Sequence, residues 1–139
     1  MQQRKRAKRV TDFKGQALMP HASRKTLVES EASLMKRVVT VLEASGVCVM
    51  RNTVGFTLYM GRGITYGLGK GSADLVCIVP PLGRWLCIEL KRTKGGKITP
   101  EQAFWLADVR RYGAIAGVVH SPEEALDLVA QAKHPAVGT

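Results

Sequence analysis

The chain has 139 residues, 45% of them apolar, which suits a single globular domain with a real core. No apolar run reaches the roughly 18 residues of a membrane span, and the basic N-terminus lacks the apolar segment of a secretory signal. The net charge of +10 points to a polyanionic partner, but unevenly: residues 1–25 hold eight Lys/Arg and one acid, against thirteen and ten in the remainder.

In chain order, residues 1–25 read as a basic, disordered tail. Arg4-Lys5-Arg6 and Lys8-Arg9 fit either a solvated extension or an arm that follows a phosphate backbone. A folded domain is expected over 26–133 and a short tail over 134–139. Thr26 to Ala44 is helical in period, with Leu27, Leu34, Val38, Val41 and Leu42 on one stripe and Gly46 as the stop. Glu31 falls on the apolar face. It either needs a partner or metal there or opens the helix where the dipole favours an acid. Glu29 points to the side. Val47 to Met50 reads as a short strand, ended by Arg51-Asn52. Residues 55–71 contain six glycines interleaved with Tyr59, Arg62, Tyr66 and Lys70, a loop or irregular ribbon that permits close approach to a ligand. Gly67-Leu68-Gly69-Lys70-Gly71-Ser72 is no P-loop, because Gly71 splits the Lys-Ser pair and a strand follows. No nucleotide cofactor is expected.

Residues 73–79 and 85–90 are apolar runs around Pro80-Pro81-Leu82-Gly83, the pattern of a hairpin. With those four residues as the turn, Val79 pairs with Arg84 and Asp74 lies opposite Glu89. Opposed residues share a face, with Cβ atoms about 4.5–5.5 Å apart, and Lys91 joins them by strand period. Opposed like charges destabilise a sheet. A hard divalent cation would remove that cost, since Mg2+ prefers one or two carboxylates with waters and phosphate oxygens. Carboxylates, a metal and a nearby cation are the parts of metal-assisted phosphodiester hydrolysis. A surface hairpin with a weak Glu89–Lys91 pair is the plain alternative.

Arg92 to Lys97 reads as a flexible basic loop. Thr99-Pro100-Glu101-Gln102 is a capping box with Pro at the first helical position, opening a helix through Phe104, Trp105 and Val109 that stops at Gly113. Ala114 to Val119 is a buried strand, and Ser121-Pro122-Glu123-Glu124 a second capping box before a last helix with Leu126 and Val129. This order predicts a mixed α/β sheet with helices on its faces. Cys48, Cys77 and Cys87 have no C-x-x-C spacing and read as buried hydrophobes in a reducing compartment. His21, His120 and His134 lack zinc-ligand spacing.

Gly71-Ser72-x-Asp74-Leu75, Ile88-Glu89-Leu90-Lys91, the glycine-rich basic turn and Thr99-Pro100-Glu101-Gln102 together resemble the VRR-NUC domain, a branch of the PD-(D/E)xK nuclease superfamily. Arg51-Asn52-Thr53-Val54-Gly55, Tyr66-Gly67-Leu68 and the stretch from Gly113-Ala114 to Ser121-Pro122-Glu123-Glu124 extend the resemblance over roughly residues 28–130. It implies a restriction-endonuclease-like core, a central mixed sheet flanked by helices. It implies Mg2+ or Mn2+ held by Asp74, Glu89 and the Leu90 carbonyl, with Lys91 positioning or activating the attacking water. The family's first-helix acid maps onto Glu31, and its glutamine onto Gln102, where that role competes with the capping one. Small stand-alone members, common in phages, act as homodimers resembling four-way junction resolvases. The expectation is thus an Mg2+- or Mn2+-dependent endodeoxyribonuclease acting on branched DNA, dimeric, and cytoplasmic in a bacterium or phage-infected host. Arg51, Asn52, Arg62, Tyr66, Lys70, Lys94 and Lys97 are the candidate DNA contacts. A catalytically silent nucleic-acid-binding module, and a flap or restriction-type nuclease, are the alternatives.

Overall fold

The computed structural model describes residues 28–134; the tail assigned to 1–25, Leu27 in the helical stripe, and 135–139 lie outside the described residues. Helix α1 (Glu31–Ala44) begins later than its apolar stripe suggests. Ser30, in extended backbone, caps it by accepting the Ser33 N–H at 3.1 Å, which satisfies one of the donors left open in the first turn. Glu31 is therefore the first helical residue, and it is exposed rather than part of the buried face. Leu34, Val38 and Leu42 form that face. Gly46, at φ +77°, ends the helix in the left-handed conformation that favours glycine.

Strand β1 (Cys48–Arg51) lies at the edge of the main sheet. Cys48 is consequently exposed, against the expectation of a buried thiol, whereas Cys77 and Cys87 are buried. The glycine-rich stretch is more regular than a loop. Strands β2 (Gly55–Tyr59) and β3 (Arg62–Tyr66) pair antiparallel from Gly55–Tyr66 to Tyr59–Arg62. Its glycines admit rings: Tyr66 occupies the space above Gly55 and Phe56 the space above Gly63, where any Cβ would collide. This arm pairs with no strand of the main sheet, and Phe56, Leu58, Tyr59 and Met60 remain exposed.

Strands β4 (Leu75–Val79) and β5 (Arg84–Leu90) pair in the register expected from the turn, with Val79 opposite Arg84 and Leu75 opposite Ile88. Helix α2 (Pro100–Arg111) then crosses to strand β6 (Ile115–Val119), which runs parallel to β5, as a helical crossover allows. Helix α3 (Pro122–Lys133) closes the chain. The sheet order is β1-β4-β5-β6. The second capping box is only half formed. Ser121 accepts the Glu124 N–H, but the Glu124 carboxylate takes the N–H of His120 at 2.7 Å, one residue upstream of the expected donor.

The sheet separates two cores. Leu34, Val38 and Leu42 of α1 meet Leu75, Cys77, Leu86 and Ile88 together with α3. On the opposite face Ala73, Val76, Cys87 and Ala116 pack against Leu106 of α2. Side chains of β5 alternate between these layers, so Glu89 shares its face with Cys87 and is directed to the α2 side. No helix among the described residues is long and apolar enough to cross a membrane.

Candidate active site

The hairpin register, continued one pair beyond Leu75–Ile88, sets Asp74 opposite Glu89. The backbone ladder stops there because Asp74 uses its side chain instead: Oδ2 accepts the Leu90 N–H at 2.8 Å. A carboxylate is thereby fixed at the end of β4 by a charge-assisted bond to the neighbouring strand. Burial pushes the Asp74 carboxyl above the ordinary range, the Leu90 N–H and the Lys91 charge pull it back, and Glu31 pushes it further up.

Glu89 is 1% exposed. Its Oε1 accepts from Lys91 Nζ at 2.7 Å and from Gln102 Nε2. Its Oε2 is buried with no hydrogen-bond partner. Burial dominates and pushes the Glu89 carboxyl up, the Lys91 hydrogen bond opposes it, and the Asp74 charge adds to it. Lys91 follows β5 directly and is only 13% exposed. Its N–H is held by the Val119 carbonyl at 3.0 Å.

Gln102 makes the capping contacts and also reaches Glu89. Its N–H donates to Thr99 Oγ1 while its Oε1 accepts the Thr99 N–H at 2.9 Å, a complete capping box. The Nε2 left over is the group that reaches Glu89. The cap fixes the rotamer, so the start of α2 holds a donor against the buried acid.

Two depressions flank this cluster. A cleft of about 690 Å³ is lined by Arg51, Asn52, Lys70, Asp74 and Gln102 among others, and one of about 160 Å³ by Glu31, Met35, Arg51, Asp74 and Leu90. Glu31 thus faces Asp74 across the smaller depression, with Arg92 Nε 3.9 Å from its carboxylate. Glu29 turns away to Arg37 at 2.9 Å and to Ser33.

The basic candidates are dispersed. Lys70, beside the cleft, is paired with Glu101 at 2.8 Å. Arg62 and Tyr66 lie on the arm. Lys94 lines a different depression with Arg92, His120 and Glu29. Lys97 is exposed in a loop that is tight rather than slack: a Cβ at Gly96 would stand 2.7 Å from the Arg92 carbonyl oxygen. Asn52 binds the protein itself, through four hydrogen bonds. Ser72 and Thr99 support the site from behind, Ser72 through Asn52 and the Gly69 carbonyl and Thr99 through the capping box with Gln102.

Among the described residues, no group of three or more His, Cys, Asp or Glu is set for a metal ion. The donors present are the Asp74–Glu89 pair. An unpartnered buried carboxylate oxygen is costly, and a hard cation bound by two carboxylates and waters would satisfy it. The donor set therefore fits Mg2+ or Mn2+.

Residues 64–123 match the family profile of the VRR-NUC domain. A solved structure described as a VRR_NUC domain is similar at 27% identity and a TM-score of 0.51, over 72% of this chain and 94% of that one. No curated protein matches.

Proposed function

We propose that this chain, which matches the VRR-NUC nuclease-family profile over residues 64–123, is a metal-dependent, structure-selective DNA endonuclease that resolves branched DNA, four-way junctions included. The observation that carries this reading is Glu89: a buried carboxylate with one oxygen held by Lys91 and Gln102 and the other without a partner, opposite a second acid. Burying these charges is a poor way to stabilise a fold. A module that only bound DNA would gain nothing from it.

In this reading Asp74 and Glu89 hold Mg2+ or Mn2+, with the Leu90 carbonyl as a third donor. The bound ion would supply Lewis acidity and a water of lowered pKa. Gln102 keeps Glu89 from turning, which preserves Oε2 for the cation. Lys91 holds an ammonium beside the acids, where it orients the attacking water and offsets charge on the phosphate as the P–O bond breaks. Glu31, across the small depression from Asp74, accepts a hydrogen bond from a water in the same site.

The test offers purified protein and Mg2+ a four-way junction, a flap and a linear duplex of matched sequence. Preferential cutting of the junction is expected. Cutting of flaps alone would move the substrate class, and binding without cutting would leave a silent module.

Symmetric nicking of a junction requires two facing sites, most simply a twofold dimer. The arm supplies a surface for it. A two-stranded hairpin is marginal alone, and Phe56, Leu58 and Met60 are 63%, 69% and 87% exposed, an apolar surface of the kind that marks partner contacts. Light scattering at micromolar concentration should give a homodimer, and Leu58→Arg should return a monomer. A wild-type monomer that still resolves junctions would defeat the dimer argument.

Lys94 and Lys97 address the DNA path. Replacing both with Ala should weaken binding across all sequences and lower the slope of log K against log salt by about 2, near one for each phosphate contact. An unchanged slope would take this loop off the path.

A further inference from the structure

The residue that follows β1, Asn52, carries an amide that catalysis and DNA binding leave unexplained. We propose that Asn52 is a positioning residue for Asp74, fixing at once the segment that presents the carboxylate and the foot of the β2–β3 arm. The inference deepens the nuclease reading and rests on it for its catalytic consequence.

Asn52 is connected on every side. Its N–H donates to the Asp74 carbonyl at 2.8 Å. Its Nδ2 donates to Ser72 Oγ at 2.7 Å and to the Ala73 carbonyl at 2.8 Å. Its Oδ1 accepts the Leu68 N–H at 3.2 Å. An amide side chain has two donor hydrogens, and both are used on the two residues just before Asp74. Ser72 extends the tie by donating its hydroxyl to the Gly69 carbonyl at 2.7 Å. Gly71 presses against the first turn of α2, where a Cβ would stand 2.6 Å from the Glu101 carbonyl carbon. No side chain larger than hydrogen fits, so segment 68–73 is clamped between Asn52 and α2.

The arm leaves the sheet at Thr53 and returns at Leu68. The bond from Leu68 N–H to Asn52 Oδ1 closes its foot. The main sheet offers the arm no strand to pair with, so Asn52 is where the arm's position meets that of Asp74. Registering a carboxylate to within about half an ångström is what such supporting bonds achieve, and a 1 Å error far from the chemistry can cost about a hundredfold in rate.

The structure supplies a reporter independent of activity. The Leu90 amide donates to Asp74 Oδ2, so its proton shift and exchange rate report where that carboxylate sits. Asn52→Ala and the milder Ser72→Ala are compared by NMR with wild type and with Asp74→Asn. The control is Arg84→Ala at the opposite end of β5, which is expected to lower the melting temperature by losing the bonds to the Gly113 and His134 carbonyls without touching the network. The Leu90 amide is expected to shift and exchange faster in both network variants and to stay in place in the control. Under turnover, kcat should fall tenfold or more in Asn52→Ala, with KM for DNA within twofold. A Leu90 amide unmoved in both network variants overturns the inference. A moved amide in a protein that cleaves nothing even as wild type supports the positioning role and removes the nuclease reading instead.

Discussion

Glu89→Gln is expected to abolish cleavage and to raise the melting temperature of the metal-free protein. The two effects share a cause. Burial holds the Glu89 carboxyl above its ordinary range despite the Lys91 hydrogen bond, so the fold prefers the neutral acid, which glutamine imitates. The sign follows from proton linkage: between the ordinary carboxylate range and the raised value, the folded state binds more protons than the unfolded one. Stability therefore falls as pH rises through that window. In EDTA the variant should lack this fall and exceed wild type increasingly toward neutral pH. Adding Mg2+ should reverse the order, since a ligand that binds only the folded state adds about 2.7 kcal/mol at a hundred times its Kd. The variant, with one carboxylate of the pair gone, should gain little. A metal supplies several kcal/mol of charge stabilisation, and about 1.4 kcal/mol is a factor of ten, so cleavage should drop by about a thousandfold or more. Melting curves and a junction assay check both halves. Retention of a tenth of the activity, or a wild-type melting temperature indifferent to Mg2+, would remove Glu89 from a metal site.

What the sequence disclosed and what it withheld divide along physical lines. The β4–β5 register was readable because a four-residue turn between two apolar runs leaves one pairing that buries both, and a slip by one residue would turn Glu89 into the other core. The cap at Thr99 was readable because capping chemistry acts within four residues. Ser30 is equally local, yet the stripe through Leu27 drew the helix start toward Thr26 and obscured it. The network of Asn52 was not readable, because its side-chain partners lie 16 to 21 residues away and only the folded arm brings them near. The pairing of the arm gave no alternation of polar and apolar residues to detect, since both its faces are open to solvent. Cys48 looked buried because its neighbours are apolar, but apolar composition does not reveal an edge strand. The stretches that resemble the VRR-NUC domain contain both acids, while the isolation of Oε2 and the double use of Gln102 arise only when the chain folds.

Lys91→Ala is expected to lose cleavage as completely as Glu89→Gln, with the opposite effect on stability. The ammonium lies 2.7 Å from Glu89 Oε1 and is 13% exposed, against 1% for the acid. Removing it leaves a buried carboxylate facing the Asp74 charge, with Gln102 and the Asp74 backbone N–H as its remaining donors. Breaking a buried pair costs about 3–5 kcal/mol, and the lower figure applies because water reaches part of the ammonium. At about 4 °C per kcal/mol, the value between those for smaller and larger domains, the melting temperature should fall by about ten degrees near neutral pH. The loss has a pH signature. Lys91 holds the Glu89 carboxyl down, so without it the carboxyl rises further and the fold favours the protonated acid over a wider window. The penalty should shrink as pH falls toward the ordinary carboxylate range, because protonation of Glu89 removes the charge that Lys91 offsets. Metal and DNA binding provide the second contrast. Both carboxylates remain, and a competing cation has gone, so Mg2+ should stabilise Lys91→Ala at least as much as wild type. DNA affinity in EDTA should be nearly unchanged, because one mostly buried ammonium contributes little to a phosphate footprint. Loss of cutting with metal and DNA binding intact assigns Lys91 to the chemical step. Cutting within threefold of wild type would leave it a structural counter-ion for Glu89, and loss of DNA binding would make it a phosphate contact.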